Sequence, residues 1–184
     1  MTTTRNFSRR SFVAAGGLAA LVDASAQAAP APIRRVVTRE NSPGKGGVVF
    51  RDAELQSVSL NGSRITRLWE TASLPVELPV DSDAGALAGN AYREGFVGTS
   101  LYIAEIPAQG EGAFVPMHQQ DSLDYIAILS GEIWLLLEDE ELLLRSGEVL
   151  VQAGNTHGWE NRGADPCRML VVVQPATLPA APAD

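Results

Sequence analysis

Cysteine and histidine are scarce in this chain, and their scarcity limits the chemistry that it can carry. The 184 residues include one cysteine, Cys167, so no disulfide can form within the chain. Cys167, Met169 and Val171 occur at every second position, so their side chains are expected on the same face of a strand. This pattern predicts that Cys167 is a small buried side chain and not a nucleophile. Only two histidines occur, at positions 118 and 157. Any site that requires imidazole must use one or both of these positions.

Basic residues are also few. The chain has 14 Lys and Arg against 22 Asp and Glu, a net charge of −8. Without residues 1–28, which resemble a leader, the counts fall to 11 and 21 and the net charge becomes −10. A surface this acidic excludes nucleic acid and anionic membranes as expected partners, because it offers no basic patch for phosphates. The acidic run at 138–141 is best interpreted as a solvated turn between two strands.

The chain lacks an apolar run long enough to span a bilayer, which needs about 20 residues. Near the N-terminus, Arg9 and Arg10 precede a modest apolar stretch at 13–22 and then small residues at 24–28. This order is typical of a twin-arginine export signal. We therefore predict a signal peptide at 1–28, cleavage near the small residues 26–28, and a periplasmic or secreted protein with no stable membrane insertion afterwards. An N-terminal membrane anchor is the alternative, but the apolar stretch is short for it.

Long helical periodicity is absent as well. From position 47 onward, short runs rich in Val, Ile, Leu and Thr alternate with Gly, Asn, Asp and Pro, which indicates an all-β barrel or sandwich. The predicted strands cover 47–50, 55–60, 64–69, 99–107, 113–119, 124–130, 132–137, 141–145, 148–152, 157–161 and 167–173.

Three further segments complete the predicted organisation. Residues 29–46 are interpreted as a linker, 47–174 as the barrel, and the Pro- and Ala-rich residues 175–184 as a disordered tail. Residues 71–98 are rich in Pro and Gly and form an extended loop in this reading. A loop that long within a compact domain is often functional, so we expect it to be a lid over the barrel mouth or an oligomer contact.

Both histidines lie in glycine-punctuated strand patterns. Residues 112–131 read GAFVPMHQQDSLDYIAILSG, residues 147–161 read GEVLVQAGNTHGWEN, and 132–146 separate them. These segments resemble the two motifs of the cupin family, in their usual order, and are similar to those of small single-domain cupins. The resemblance implies a single jelly-roll barrel, also called a double-stranded β-helix.

The resemblance also implies a metal site. Family members usually carry His, His, Glu and His at the matching positions, where this chain has His118, Gln120, Asp124 and His157. It departs from the family at two of the four positions. The expected cofactor is a divalent metal, one of Mn, Fe, Zn or Ni. Loss of one imidazole lowers the preference for Fe, Ni, Cu or Zn and raises the relative tolerance of Mn or a harder cation. A vacant or degenerate site is the alternative.

Other residues in phase with these positions are expected to line the cavity. Ile126 and Ile128 follow Asp124 at every second residue, and Trp159 follows His157 in the same way. For Trp159 a simple core role is an equally good interpretation. Asn161 is interpreted as structural.

These features lead to two hypotheses for function. The first is an exported, metal-dependent enzyme of the lyase, isomerase, decarboxylase or dioxygenase type, acting on a small oxygenated or carboxylate compound. The changed ligand set favours Lewis-acid chemistry over oxygen activation, and Asp124 is a candidate general base. The second is a non-catalytic barrel that binds a small molecule at a degenerate metal site. Family habit adds a homodimer as the expected assembly.

Overall fold

The computed structural model describes residues 31–52, 55–78, 83, 85, 97–108 and 113–178. Within these ranges every helix or strand assigned is a β-strand, so the predicted all-β class is confirmed. The strands are β1 (Arg35–Ser42), β2 (Lys45–Asp52), β3 (Val58–Leu60), β4 (Ser63–Glu70), β5 (Ser100–Ile106), β6 (Phe114–His118), β7 (Ser122–Ser130), β8 (Glu132–Leu136), β9 (Glu141–Arg145), β10 (Val149–Ala153), β11 (His157–Glu160) and β12 (Cys167–Pro175). No helix in the described part of the chain is long and apolar enough to cross a membrane.

The strands form two main antiparallel sheets and one hairpin. The larger sheet has the order β10-β7-β12-β5-β4-β3, and the smaller has the order β6-β11-β8-β9. The strands β1 and β2 pair only with each other. In both sheets, strands that are distant in sequence are neighbours, such as β12 and β5 in the larger sheet and β6 and β11 in the smaller one. This arrangement is expected for a jelly roll.

The core lies between the two sheets and follows the alternation of the strands. In β12 every second residue is buried, from Cys167, whose exposed fraction is 0%, through Met169 and Val171 to Val173. These side chains join apolar residues of the smaller sheet, such as Ile133, in one cluster. The prediction that Cys167 is a buried apolar side chain is therefore confirmed.

The larger sheet also carries a cross-strand ion cluster. Glu105 on β5 is opposite Arg168 on β12 and Arg64 on β4. It is buried and forms salt bridges to both arginines, with 2.7 Å from its Oε1 to the Nη2 of Arg168. A buried carboxylate is tolerated here because two cations neutralise it.

The structure differs from the expected linker at 29–46. Residues 35–42 form β1, which pairs with β2, so the predicted strand at 47–50 is only part of a longer strand. Arg35 is the reason that this segment is ordered. Its buried guanidinium donates to Asp52 at 2.7 Å and to both carboxylate oxygens of Asp83 at 2.7 Å each. These two carboxylates raise the pKa of Arg35, although burial opposes the effect.

The start of the expected tail is also ordered. Strand β12 continues to Pro175, and the Ala176 amide donates to the Asp121 carbonyl at 2.9 Å. The remainder of the predicted tail, 179–184, lies outside the described residues, as do the predicted signal peptide at 1–28 and much of the loop at 71–98.

Candidate functional site

A cavity of about 130 Å³ lies between the inner faces of the two sheets. Most of its wall is apolar, with Trp159 from the smaller sheet and Ile126, Met169 and Val171 from the larger one. Polar side chains converge at one part of this wall. An apolar cavity with a few converging polar groups is the common form of a small-molecule site.

The two histidines form a pair on the smaller sheet. His118 ends β6, His157 begins β11, and the two residues are directly opposite in the strand register. Their ring centroids are 4.3 Å apart. Strand pairing therefore brings together the only two imidazoles of the chain, which are far apart in sequence.

Backbone hydrogen bonds orient both rings. The Nδ1 of His118 lies 2.9 Å from the Pro116 carbonyl, and the Nδ1 of His157 lies 3.0 Å from the Asn155 carbonyl. Because a carbonyl oxygen can only accept, each Nδ1 must carry the hydrogen, and the Nε2 of a neutral ring then keeps its lone pair. Metal-binding histidines are commonly oriented through their other ring nitrogen in this way.

Burial favours the neutral form of His157. It lowers the pKa of this imidazole, with a smaller contribution from the neighbouring His118, while the hydrogen bond to the Asn155 carbonyl acts in the opposite direction. A neutral imidazole is the form that binds metals.

Asp124 faces the histidines from the larger sheet. Burial raises the pKa of its carboxyl group, and a hydrogen bond from Ser122 and the charge of His118 partly offset this effect. Its Oδ1 is buried without a hydrogen-bond partner among the described residues. A carboxylate with a free oxygen inside a cavity is suited to bind a ligand or to accept a proton.

Gln152 is a cavity residue that the sequence analysis missed. It lies on β10 directly opposite Asp124 on β7, so the two side chains are neighbours on one face of the sheet. Its position two residues after Leu150, in the inward phase of β10, is the signal that would have identified it. Tyr102 also lines the cavity and was missed; burial, together with the Asp124 charge, raises the pKa of its phenol.

The predicted residues are brought together with one exception. His118, Gln120, Asp124 and His157 all line the cavity, as do Ile126 and Trp159. Ile128 does not. It lies two residues beyond Ile126 on β7 and packs in the core, opposite Met169 of β12. The inward phase was correct, but the cavity does not extend that far along the strand.

The fit to a metal ion is good at the histidine pair and incomplete elsewhere. Two imidazoles whose Nδ1 atoms are held by backbone carbonyls are suitable ligands through Nε2, and the Gln120 carboxamide and Asp124 carboxylate share their cavity. However, within the described ranges no three His, Cys, Asp or Glu side chains form a group that could hold a metal ion. The four-residue ligand set therefore stays a prediction, with the histidine pair as its best-supported part.

The described part of the 71–98 loop lies away from this cavity. Val76 and Leu78 line a separate groove beside β1, and Asp83 is bound by Arg35 of that strand. The turn between β3 and β4 contributes Leu60 and Asn61 to the cavity wall instead. The predicted lid stays a prediction, since 79–82, 84 and 86–96 lie outside the described residues.

Comparisons with known proteins find similar sequences and structures. A family model for the cupin domain matches residues 102–173. The cupin-domain-containing oxidoreductase virC of Hypocrea virens (strain Gv29-8 / FGSC 10586) is 30% identical over 158 residues, covering 78% of each chain. Phomopsin biosynthesis cluster protein C' of Diaporthe leptostromiformis is 38% identical over 86 residues, which cover 46% of this chain and 42% of that protein. The chain thus spans about two fifths of the length of that relative. The solved Schizosaccharomyces pombe Cnp3 cupin domain superposes with a TM-score of 0.48 at 16% identity, covering 78% of this chain and 86% of that chain.

The match to virC extends well beyond a shared motif, because it includes more than two thirds of both proteins. The family match covers the strands that carry both histidines, and those strands belong to the two-sheet barrel described above. This chain therefore belongs to the cupin family.

Proposed function

We propose that this protein is a metal-dependent cupin enzyme that acts on a small oxygenated compound inside the cavity. The observation that carries the proposal is the orientation of His118 and His157. Each ring donates from Nδ1 to a backbone carbonyl, and this leaves two Nε2 lone pairs for one cation. His157 is buried and His118 is half-buried, and both rings line the cavity.

Each residue of the site has a role in this proposal. His118 and His157 hold a divalent metal, which supplies Lewis acidity or redox capacity when bound. Gln120 and Asp124 complete the ligand set, or Asp124 accepts a proton from the substrate as general base. The hydroxyl of Ser122 donates to Asp124 and fixes its carboxylate. The apolar wall keeps bulk water from the polar groups.

The name of one relative favours an oxidoreductase. The virC protein is called a cupin-domain-containing oxidoreductase, and its match includes most of this chain. We therefore rank oxidation and reduction, as in a dioxygenase, above lyase, isomerase and decarboxylase chemistry. This reverses the order that the ligand set alone favours.

Metal content tests the proposal first. Protein purified without an affinity tag is expected to contain near-stoichiometric Fe or Mn by mass spectrometry of the metals. Occupancy by Zn alone would contradict the redox class, because Zn²⁺ has no redox chemistry. An empty site that also fails to bind added Mn²⁺, Fe²⁺, Ni²⁺ or Zn²⁺ would contradict the enzyme proposal.

Substitution of the ligands tests the assignment of residues. Loading with Cu²⁺ gives an electron paramagnetic resonance spectrum in which the splitting reports the number of bound nitrogens. We expect two imidazole nitrogens in the wild type and one or none in His118→Ala and His157→Ala. Two nitrogens in either variant would refute the assignment.

Gln120→His is the matching gain-of-ligand experiment. It supplies the third imidazole of the common family set, leaving only Asp124 different, and should raise Zn²⁺ and Ni²⁺ affinity by about tenfold or more. Gln120→Leu is the control, since it fills the same cavity position without a ligand atom. Equal affinities in the two variants would mean that position 120 does not face the metal.

A non-catalytic, ligand-binding barrel is the second candidate. The absence of a three-residue acidic, thiol or imidazole group among the described residues favours it. In that case the protein would bind small molecules without stoichiometric metal, and ligand affinity would not change after treatment with a chelator.

Export and assembly complete the proposal. We propose twin-arginine export, tested by N-terminal sequencing of the mature protein; replacement of Arg9 and Arg10 by Lys should then retain the precursor in the cytoplasm.

We also propose a homodimer formed at the edge strand β10, where Val149 is 70% and Val151 56% exposed. Light scattering tests it, and a Val151→Lys variant should be monomeric.

A further inference from the structure

The side chain of Gln152 lies at the cavity wall and is buried. Gln152 is only 4% exposed, and neither its Oε1 nor its Nε2 has a hydrogen-bond partner among the described residues. Burial of an unpaired donor or acceptor costs about 1 to 3 kcal/mol, and Gln152 carries both kinds of group. A leucine of similar size would avoid this cost. The residue is therefore explained by a partner that enters the cavity.

We propose that Gln152 is the recognition residue for a neutral, planar substrate group that presents a donor and an acceptor side by side, such as a carboxamide or lactam. A carboxamide offers its acceptor and its donor in one plane, and a second amide group is complementary to it through two hydrogen bonds. This assignment rests on the proposed function, because it names the substrate class that the same cavity accepts.

The neighbours of Gln152 agree with this assignment. Asp124 is directly opposite on β7, and its Oδ1 is also buried without a partner. A substrate N–H or O–H can therefore bind to Asp124 while the rest of the group binds to Gln152. Asp124 and Gln152 can thus bind the same substrate group from adjacent strands.

The cavity wall favours a neutral group. Among the described residues that line the cavity there is no lysine or arginine. A substrate carboxylate at Gln152 would therefore have no cationic side chain to compensate its charge, which is costly in a buried site. The apolar wall around Trp159, Met169 and Val171 is suited to a small ring or alkyl chain attached to the polar group.

Benzamide and acetophenone are suitable probes because they have nearly the same shape and differ in the amide N–H donor. Dissociation constants are measured by nuclear magnetic resonance titration, with the indole N–H of Trp159 as reporter. We expect the full-length protein to bind benzamide about tenfold more tightly than acetophenone, as one additional buried hydrogen bond implies. In the metal-free protein, benzoate should bind more weakly than benzamide. Equal binding of benzamide and acetophenone would overturn the proposal.

Gln152→Leu separates recognition from structure. Removal of the unpaired groups should leave the melting temperature unchanged or higher and abolish the preference for benzamide. Gln152→Met, which keeps an unbranched side chain, provides the same comparison if the leucine variant does not fold. A preference for benzamide that persists in a folded variant, or a melting temperature that falls in both variants, would show that Gln152 has a structural role instead.

The metal and the recognition residue can fail independently. The titrations are repeated on protein treated with a chelator and on protein loaded with Mn²⁺, and metal content is measured for each variant. Gln152→Leu should retain the metal content of the wild type. A benzamide preference in protein that contains no metal as purified and takes up none of the added Mn²⁺ would refute the metal-dependent function and support the recognition site, whereas bound metal without the preference would do the reverse.

Discussion

Asn161, at the end of the second histidine-containing motif, tests how far buried side-chain hydrogen bonds stabilise the barrel next to β11. The side chain is 2% exposed. Its Nδ2 donates to the Ile106 carbonyl at 3.0 Å and to the Asp165 carbonyl at 2.9 Å, and its Oδ1 accepts from the Gly163 amide at 2.9 Å. One carboxamide thus connects β5, the end of β11 and the loop before β12.

Asn161→Ala removes three hydrogen bonds from a buried position. At a net value of about 1 kcal/mol each, the free energy of unfolding should fall by about 3 kcal/mol. For a domain of this size the melting temperature should fall by roughly 6 to 12 °C. Urea unfolding followed by circular dichroism measures the loss. The control is Asn155→Ala, because that side chain is exposed and bonds only to the adjacent Thr156 carbonyl, so its change should stay within about 0.5 kcal/mol.

Asn161→Asp adds a pH dependence whose sign is fixed by the geometry. The introduced oxygen would face the Ile106 and Asp165 carbonyls, which cannot donate, so the folded-state pKa of the new carboxyl must lie above its unfolded value of about 3.9. Relative to the wild type, the variant should therefore be most stable below about pH 4 and lose stability as the pH rises towards the folded-state pKa. If the difference from the wild type is the same at pH 7 as at pH 4, or if the alanine variant loses less than about 1 kcal/mol, the hydrogen-bond argument is wrong.

Three further predictions concern burial, charge and backbone conformation. Burial raises the pKa of the Cys167 thiol to about 12. Ellman's reagent at pH 8 should therefore detect no thiol in the native protein and one in urea, and a reactive thiol in the native protein would show that Cys167 is not buried. Glu105→Ala leaves two arginines facing each other and should cost about 3 kcal/mol in urea unfolding, whereas a loss below 1 kcal/mol would mean that the cluster is solvated. Gly147 and Gly154 both have positive φ, at 92° and 71°. Replacing either by Ala should cost about 1 to 2 kcal/mol, but only Gly154→Ala should also lower metal content; equal metal content in the two variants would contradict this.

The strands that carry both motifs could be predicted from sequence because their signal is local. In β7 and β12 apolar side chains alternate with more exposed ones, and turn residues end each run. The histidine pair and Asp124 could likewise be placed by phase together with the family resemblance. The same phase rule placed Ile128 inward but could not determine where the cavity ends.

The missed features depend on partners that are distant in sequence. Arg35 reads as part of a basic, solvated linker until Asp83 is brought beside it, and β1 was missed for that reason. Gln152 reads as the polar end of a strand before a turn. The phase of β10 turns its side chain inward with Leu150, but only the register with β7 places it opposite Asp124 in the cavity.

The turn between β10 and β11 links Gln152 to the histidine pair along the chain. Gln152 lies near the end of β10, before this turn, and His157 begins β11, after it. Gly154 lies within the turn and has a positive φ, a backbone conformation that residues with side chains disfavour. The Gly154 carbonyl accepts from the Gln119 side chain at 2.7 Å, which ties the turn to the residue that follows His118. One turn therefore sets the position of both imidazoles relative to the carboxamide. Backbone strain from Gly154→Ala should therefore displace the histidines. Gly147 lies before the other end of β10, so strain from Gly147→Ala should leave them in place.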